Sequence, residues 1–172
     1  MRFRNLDETT RHYMEKEVQN DIATGTLYLG RRLSERGKLD YPPLLLDAVT
    51  GGTPQSLARF LGQSNRLNHT ETNKLGVVKK VPYNAAEMLA EGEFNRFYIR
   101  AVCLRAIEEG NGMVRVYRAK QVRQPRPQSV SLLGTDIDAE ELLTDLRASP
   151  GVDTALGLPG GPNSGLSVSL HH

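Results

Sequence analysis

Apolar and polar positions alternate along this chain in a way that predicts mostly helices. Between Asp7 and Gly25, Met14, Val18 and Ile22 recur every fourth residue among mostly charged or polar neighbours. That spacing predicts an amphipathic helix with Asp7 as N-cap and Gly25 as its terminating glycine. A seam so narrow must rest on something larger, either the chain's own core or a partner, and Met14, Val18 and Ile22 are therefore candidate partner contacts. The run from Thr26 to Asp40 reads as a short strand or irregular stretch followed by a basic turn bearing Arg31, Arg32, Arg36 and Lys38. "YPPLLLDAV" predicts a short helix begun by proline, and "TPQSLARFLG" a second, capped by Thr53, with Leu57, Phe60 and Leu61 turned inward. Gln63 to Lys80 is polar and weakly patterned, a loop or a hairpin whose second strand is "GVVKKV". Connections of that length are usually functional or extended arms.

The strongest element runs from Asn84 to Gly110. Asn84 and Glu87 have the spacing of a capping box, and Gly110 stands where a terminating glycine belongs. Projected at helical periodicity, Phe94, Phe97, Tyr98, Ile99, Ala101, Val102, Cys103, Leu104 and Ile107 surround its second half. A helix apolar on nearly every side is a buried one. Arg96, Arg100 and Arg105 sit on that helix and each needs a carboxylate or carbonyl partner. "MVRVYRAK", Met113 to Lys120, alternates as a strand with one wet face, and "RQPRPQ" follows as an extended connector. "DIDAEELLTDLR" predicts a last helix capped by Asp138 with Glu141, its stripe being Leu142, Leu143 and Leu146. These elements imply an α+β fold in which a buried central helix lies against a small sheet, with extended N- and C-terminal regions. The expected organisation is one domain over residues 1–147 and an extended arm over 148–172.

That arm poses its own problem. Residues 148–172 include "GLPGGPNSGLSV" and carry Asp153 and no other charged acid or base apart from the terminal histidines, so folding alone they gain little burial against roughly 1–2 kcal/mol of backbone entropy per ordered residue. Leu158, Leu166, Val168 and Leu170 are nevertheless spaced as an extended strand with turns would space them. Either the arm pairs beside "MVRVYRAK", or it reaches a neighbouring subunit and these residues are partner contacts.

Composition narrows the chemistry. The 172 residues hold 22 Lys and Arg against 20 Asp and Glu, a net charge of +2, which gives no strong general field for nucleic acid or membrane. No run of apolar residues reaches membrane-spanning length and no leader pattern opens the chain, so the expected location is inside a cell or a particle rather than a membrane. Cys103 is the single cysteine, buried on an apolar helix and expected to be inert. His12, His69, His171 and His172 form no metal-ligating spacing, and "GLPGGPNSG" lacks the lysine and helix of a phosphate cradle. Nothing in the sequence calls for a cofactor, and no catalytic motif is present; an enzyme would need a site assembled from scattered residues.

The distribution of charge is more informative than its sum. Asn111 to Thr135 holds five cations, Arg115, Arg118, Lys120, Arg123 and Arg126, and no acid; Asp136 to His172 holds six acids and one cation. Three arrangements fit: an intrachain match of basic strand with acidic helix, a contact to a phosphate backbone aided by Tyr117, or an acidic patch on a partner subunit.

In the C-terminal half, "EGEFNRFYIRAVCLRAIEEG", "VRVYRAK", "RPQS" and "DTALGLPGGPNSGLSV" together resemble short proteins encoded by tailed bacteriophages and prophages among genes for virion structural parts. The resemblance implies a head- or neck-associated structural subunit of a homo-oligomeric assembly, located in the virion and otherwise cytoplasmic, with the arm, the 63–80 loop and the N-terminal helix as contact elements. It transfers no functional residue. The alternative is a nucleic-acid-binding accessory protein that uses the five cations of residues 115–126.

Overall fold

A computed structural model describes residues 1–151 and 165–171. The elements in chain order are α1 (Glu8–Thr24), α2 (Glu35–Thr50), α3 (Pro54–Leu61), β1 (Thr70–Thr72), β2 (Val78–Lys80), α4 (Ala85–Glu108), β3 (Met113–Arg118), α5 (Pro127–Ser131), β4 (Asp136–Asp138), α6 (Ala139–Ala148) and β5 (Leu166–Leu170). The fold is α+β. Helix α4 is the axis: α1, α2, α3 and α6 pack around it, and β3 and β5 cover another side. Phe94, Phe97, Tyr98, Ala101, Val102, Cys103 and Ala106 are all buried, whereas Leu104 and Ile107 lie at the helix margin rather than in the core.

Local chemistry explains most helix ends. Asp7 caps α1 by accepting from Thr10 N, and Gly25 closes it in the left-handed region at φ 71°. Thr53 and Ser56 cap α3 reciprocally. Asp138 accepts from both Glu140 N and Glu141 N at the start of α6. Asn84 departs from expectation: it precedes α4 at φ −95°, ψ 16° and its side chain makes no cap hydrogen bond.

The larger correction concerns α2. It begins at the Ser34 cap, whose hydroxyl accepts from Gly37 N, and it runs through Pro42 and Pro43 instead of starting there. Two prolines remove two donors from the helix ladder. The helix persists because Tyr41, Leu45, Ala48 and Val49 bury one continuous face. Gly37 is where α2 meets the loop after α3: a Cβ there would lie 2.0 Å from Arg66 O. Likewise "RQPRPQ" is not extended throughout, since Pro127 opens the one-turn helix α5.

The main sheet has the order β4-β3-β5, antiparallel on both sides of β3. Val116 faces Val168 and Val114 faces both Leu170 and Ile137 in register. The C-terminal arm thus divides. Leu166, Val168 and Leu170 belong to the domain's own sheet and are buried there, which corrects both the domain limit at residue 147 and their assignment as partner contacts. Leu158 lies outside the described residues. The extended N-terminal segment is also docked on its own chain. Phe3 packs on the Phe94 and Tyr98 rings at 5.1 and 4.7 Å, Arg2 N donates to Ala119 O at 2.7 Å, and Asn5 Oδ1 accepts from Leu170 N at 3.0 Å.

Gly165 starts β5 at φ 67°. Its carbonyl accepts from Ala119 N and Lys120 N, and a Cβ would sit 2.4 Å from Lys120 O. Gly165→Ala should therefore lower stability by roughly 2 kcal/mol or more, read as a fall in the urea midpoint with early loss of hydrogen-exchange protection across 166–170.

Candidate interaction surface

Two polar regions, one buried and one exposed, carry the chain's unusual chemistry. The buried one surrounds Arg100, 1% exposed on α4. Its Nε donates to Glu17 Oε2 at 2.6 Å, and Nη1 and Nη2 donate to the two Asp21 oxygens at 2.6 and 2.8 Å. Arg147 of α6 donates from Nε to the same Glu17 at 3.1 Å, making a neutral set of two acids and two cations. Burial pushes the Glu17 carboxyl up, but the Arg147 and Arg100 contacts outweigh it and hold the group below its usual value. Nearby, Arg96 donates to Leu146 O at 3.1 Å and Ser149 O at 3.0 Å and pairs with Glu93 at 3.4 Å. Every arginine on α4 thus has the partner its burial demands, Arg105 pairing with Asp7 and Glu109.

Glu93 meets Arg96 through Oε1 alone. Its Oε2 and the Tyr41 hydroxyl are buried and make no hydrogen bond among the described residues. Burial pushes Glu93 up to about 7 and Tyr41 well above its ordinary value, Glu93's charge adding to the latter. A carboxyl titrating near neutrality is the type used for general acid catalysis. Glu93 lies within the helical packing at 5% exposure, where its charge state bears on stability. Between pH 4.5 and about 7 the folded chain holds a proton that the unfolded chain has released, so stability falls as pH rises through that window. Glu93→Gln should match the parent near pH 4.5 and exceed it at pH 8 by up to about 3 kcal/mol, read from urea midpoints at the two pH values. Arg100→Leu should cost about 3–5 kcal/mol at pH 7, because Glu17 and Asp21 would be left buried with too little positive charge.

The exposed region is the β1-β2 hairpin. Thr70, Glu71 and Thr72 pair with Lys80, Lys79 and Val78. Its turn is built by Asn73, whose Oδ1 accepts from Leu75 N and Val77 N, both at 2.9 Å, while Gly76 takes φ 77°. Its base is held firmly. Arg32 makes two bonds to Glu71 at 2.7 and 3.1 Å, Asn68 bonds both Arg32 O and Leu33 O, and Leu33 bridges Leu67. The Arg32 hydrogen bonds, helped by Lys79, lower the Glu71 carboxyl to about 2. Beyond that base no described residue covers the second strand: Val78, Lys79 and Lys80 are all exposed, on both faces. Leu75 is 87% exposed, Val77 57%, Val78 65% and, past the second strand, Tyr83 100%. A two-stranded ribbon with both faces in water is marginal by itself.

The residues singled out from the sequence fare differently. Met14 and Val18 are fully buried against the chain's own core, so they are not partner contacts; Ile22 alone of that seam remains 40% exposed. Among the cations, Arg115 pairs bidentately with Asp136 at 2.8 and 2.9 Å, Lys120 pairs with Glu91, and Arg118 reaches Ser129. Arg123 and Arg126 are exposed. The expected intrachain match of basic strand with acidic helix is not what these pairs make: Arg115 pairs with Asp136 in β4, and Lys120 turns to Glu91 of α4. Two cations that the sequence did not connect with this patch join it: exposed Arg2 and Arg4 lie beside the end of β3, the Arg4 guanidinium 4.3 Å over the Tyr117 ring. Val77 and Val78 belong to the expected strand "GVVKKV", and Leu75 and Tyr83 flank it; their exposure shows only in the tertiary structure.

Fold and surface together define an α+β domain with a helical core and a projecting, basic, apolar hairpin. Comparisons with protein families, curated protein sequences and solved structures find no match to this chain. No helix among the described residues is long and apolar enough to cross a membrane, and no group of three or more potential ligands could hold a metal ion there.

Proposed function

We propose that this chain is a non-enzymatic structural subunit of a larger homo-oligomeric assembly, of the head- or neck-associated kind that the C-terminal resemblance to phage proteins implies, and that it works in the virion. The observation that carries the reading is the uncovered hairpin. Apolar side chains exposed on a firmly anchored projection are characteristic of a surface buried on association. The contact element is accordingly the 63–80 segment. The N-terminal helix and the final strand serve the subunit's own core, which makes the domain a rigid platform for the hairpin.

The test is sedimentation equilibrium of the purified chain over a wide concentration range. Species heavier than the 19.1 kDa chain should accumulate with concentration. Leu75→Ser combined with Val78→Ser should weaken that association at least tenfold while leaving the thermal midpoint unchanged, since both side chains are exposed in the isolated subunit. A chain that stays at its monomer mass throughout would overturn the reading.

One observation favours a second reading. Exposed Arg2 and Arg4 sit at Tyr117, the Arg4 guanidinium over its ring, and add two cations to exposed Arg123 and Arg126. If these cations follow a phosphate backbone, affinity for a mixed-sequence duplex should fall steeply and linearly on a log-log plot against salt, and Arg4→Ala with Arg123→Ala should flatten the slope by roughly two phosphates' worth.

A further inference from the structure

Resting on the structural-subunit reading, we infer that the occupant of the hairpin is the acidic face of α6 on a second copy of the same chain, in a head-to-tail contact. Two oppositely charged surfaces of this molecule carry that step. On the hairpin, Lys74 and Lys80 are exposed and make no ion pair among the described residues, beside uncovered Leu75, Val77 and Val78. On α6, Glu140, Glu141 and Asp145 likewise have no cation partner among the described residues, and with Asp138, Thr144 and Ala148 they line a shallow surface groove. Each surface holds charge with no ion-pair partner among the described residues.

Their placement prevents one chain from joining them. The hairpin leads within a few residues into the N-terminal end of α4. The start of α6 is tied to the other end, Ala139 N donating to Gly112 O at 2.9 Å just past α4. A helix of 24 residues, roughly 36 Å, separates the hairpin's end of α4 from the first turn of α6 with Glu140 and Glu141, while Asp145 lies towards mid-helix, where Arg96 bonds Leu146 O and Ser149 O. The hairpin and that first turn, at opposite ends of α4, meet between copies. Such a contact is heterologous: it leaves one free hairpin and one free α6 face at the two ends of any open chain, and it ends in a ring when the rotation between copies closes. The charges set register and encounter, while Leu75, Val77 and Val78 supply the desolvated contact.

The experiment uses the full chain in two variants: Leu75→Ser/Val78→Ser, which blunts the hairpin, and Glu140→Lys/Glu141→Lys, which reverses the α6 face. By sedimentation, each variant alone should remain monomeric where the parent assembles. An equal mixture should give a species of twice the chain mass and nothing larger, because only one competent hairpin and one competent α6 face remain. Parent assembly should also weaken with added salt. If the lysines unsettle the first turn of α6, Glu140→Gln/Glu141→Gln removes the charge without opposing the helix dipole, and the same weakening of at least tenfold is expected. Parent assembly that the α6 variant leaves intact would overturn this inference while leaving the structural-subunit reading standing. So would a mixture of the two variants that stays monomeric. A parent chain that is monomeric at all concentrations would overturn both.

Discussion

A guanidinium buried on an apolar helix is the constraint on which the rest of this structure depends. Arg100 lies midway along α4, among side chains that exclude water, and such a charge survives only with close counter-charges. Glu17 and Asp21 supply them from α1, and Arg147 of α6 offsets the second acid. The pairing fixes which face of α1 meets α4 and how α6 crosses them. Once α1 is held in that rotation, Met14 and Val18 have nowhere to go but the core. The helix seam that looked available to a partner is used up by the need to neutralise one arginine.

The same economy governs the two ends of the described chain. Residues 1–6 carry two arginines and β5 follows a glycine-rich stretch of sequence, yet each gains burial by lying beside β3, and Asn5 ties one to the other through Leu170 N. Backbone hydrogen bonds to β3 satisfy β5, while Phe3 fills space beside Phe94 and Tyr98. With these segments absorbed, the hairpin stands out as a region whose apolar side chains remain in water. The proposal that the hairpin is a contact surface rests on that contrast.

The legible parts of the sequence were those where a residue's neighbours in sequence are its neighbours in space. Asp7, Thr53 and Asp138 cap helices through bonds spanning two or three residues, so their roles could be read directly. The failures share one origin. Pro42 and Pro43 announce a helix start by local rules, but the buried face of Tyr41, Leu45 and Val49 carries α2 through them from Ser34. Asn84 and Glu87 have capping-box spacing, but the turn before Asn84 leaves its side chain unable to cap. At α2 a packing gain outweighed a local preference; at Asn84 the backbone conformation did.

Sequence by itself determined the α+β class, the axial helix with its requirement for partners to Arg96, Arg100 and Arg105, and the inert Cys103, whose thiol burial pushes up. Those properties depend on periodicity and on the cost of burying charge, both of which are written in residue order. Tertiary structure decided which acids answer Arg100, that β5 completes the chain's own sheet, and that Leu75, Val77 and Val78 stay uncovered while Val114 and Val116, in a similar strand pattern, do not. The physical reason is that burial belongs to the pair of surfaces that meet: a valine in a strand is core or contact according to what lies above it, and that is fixed only when the helices have packed.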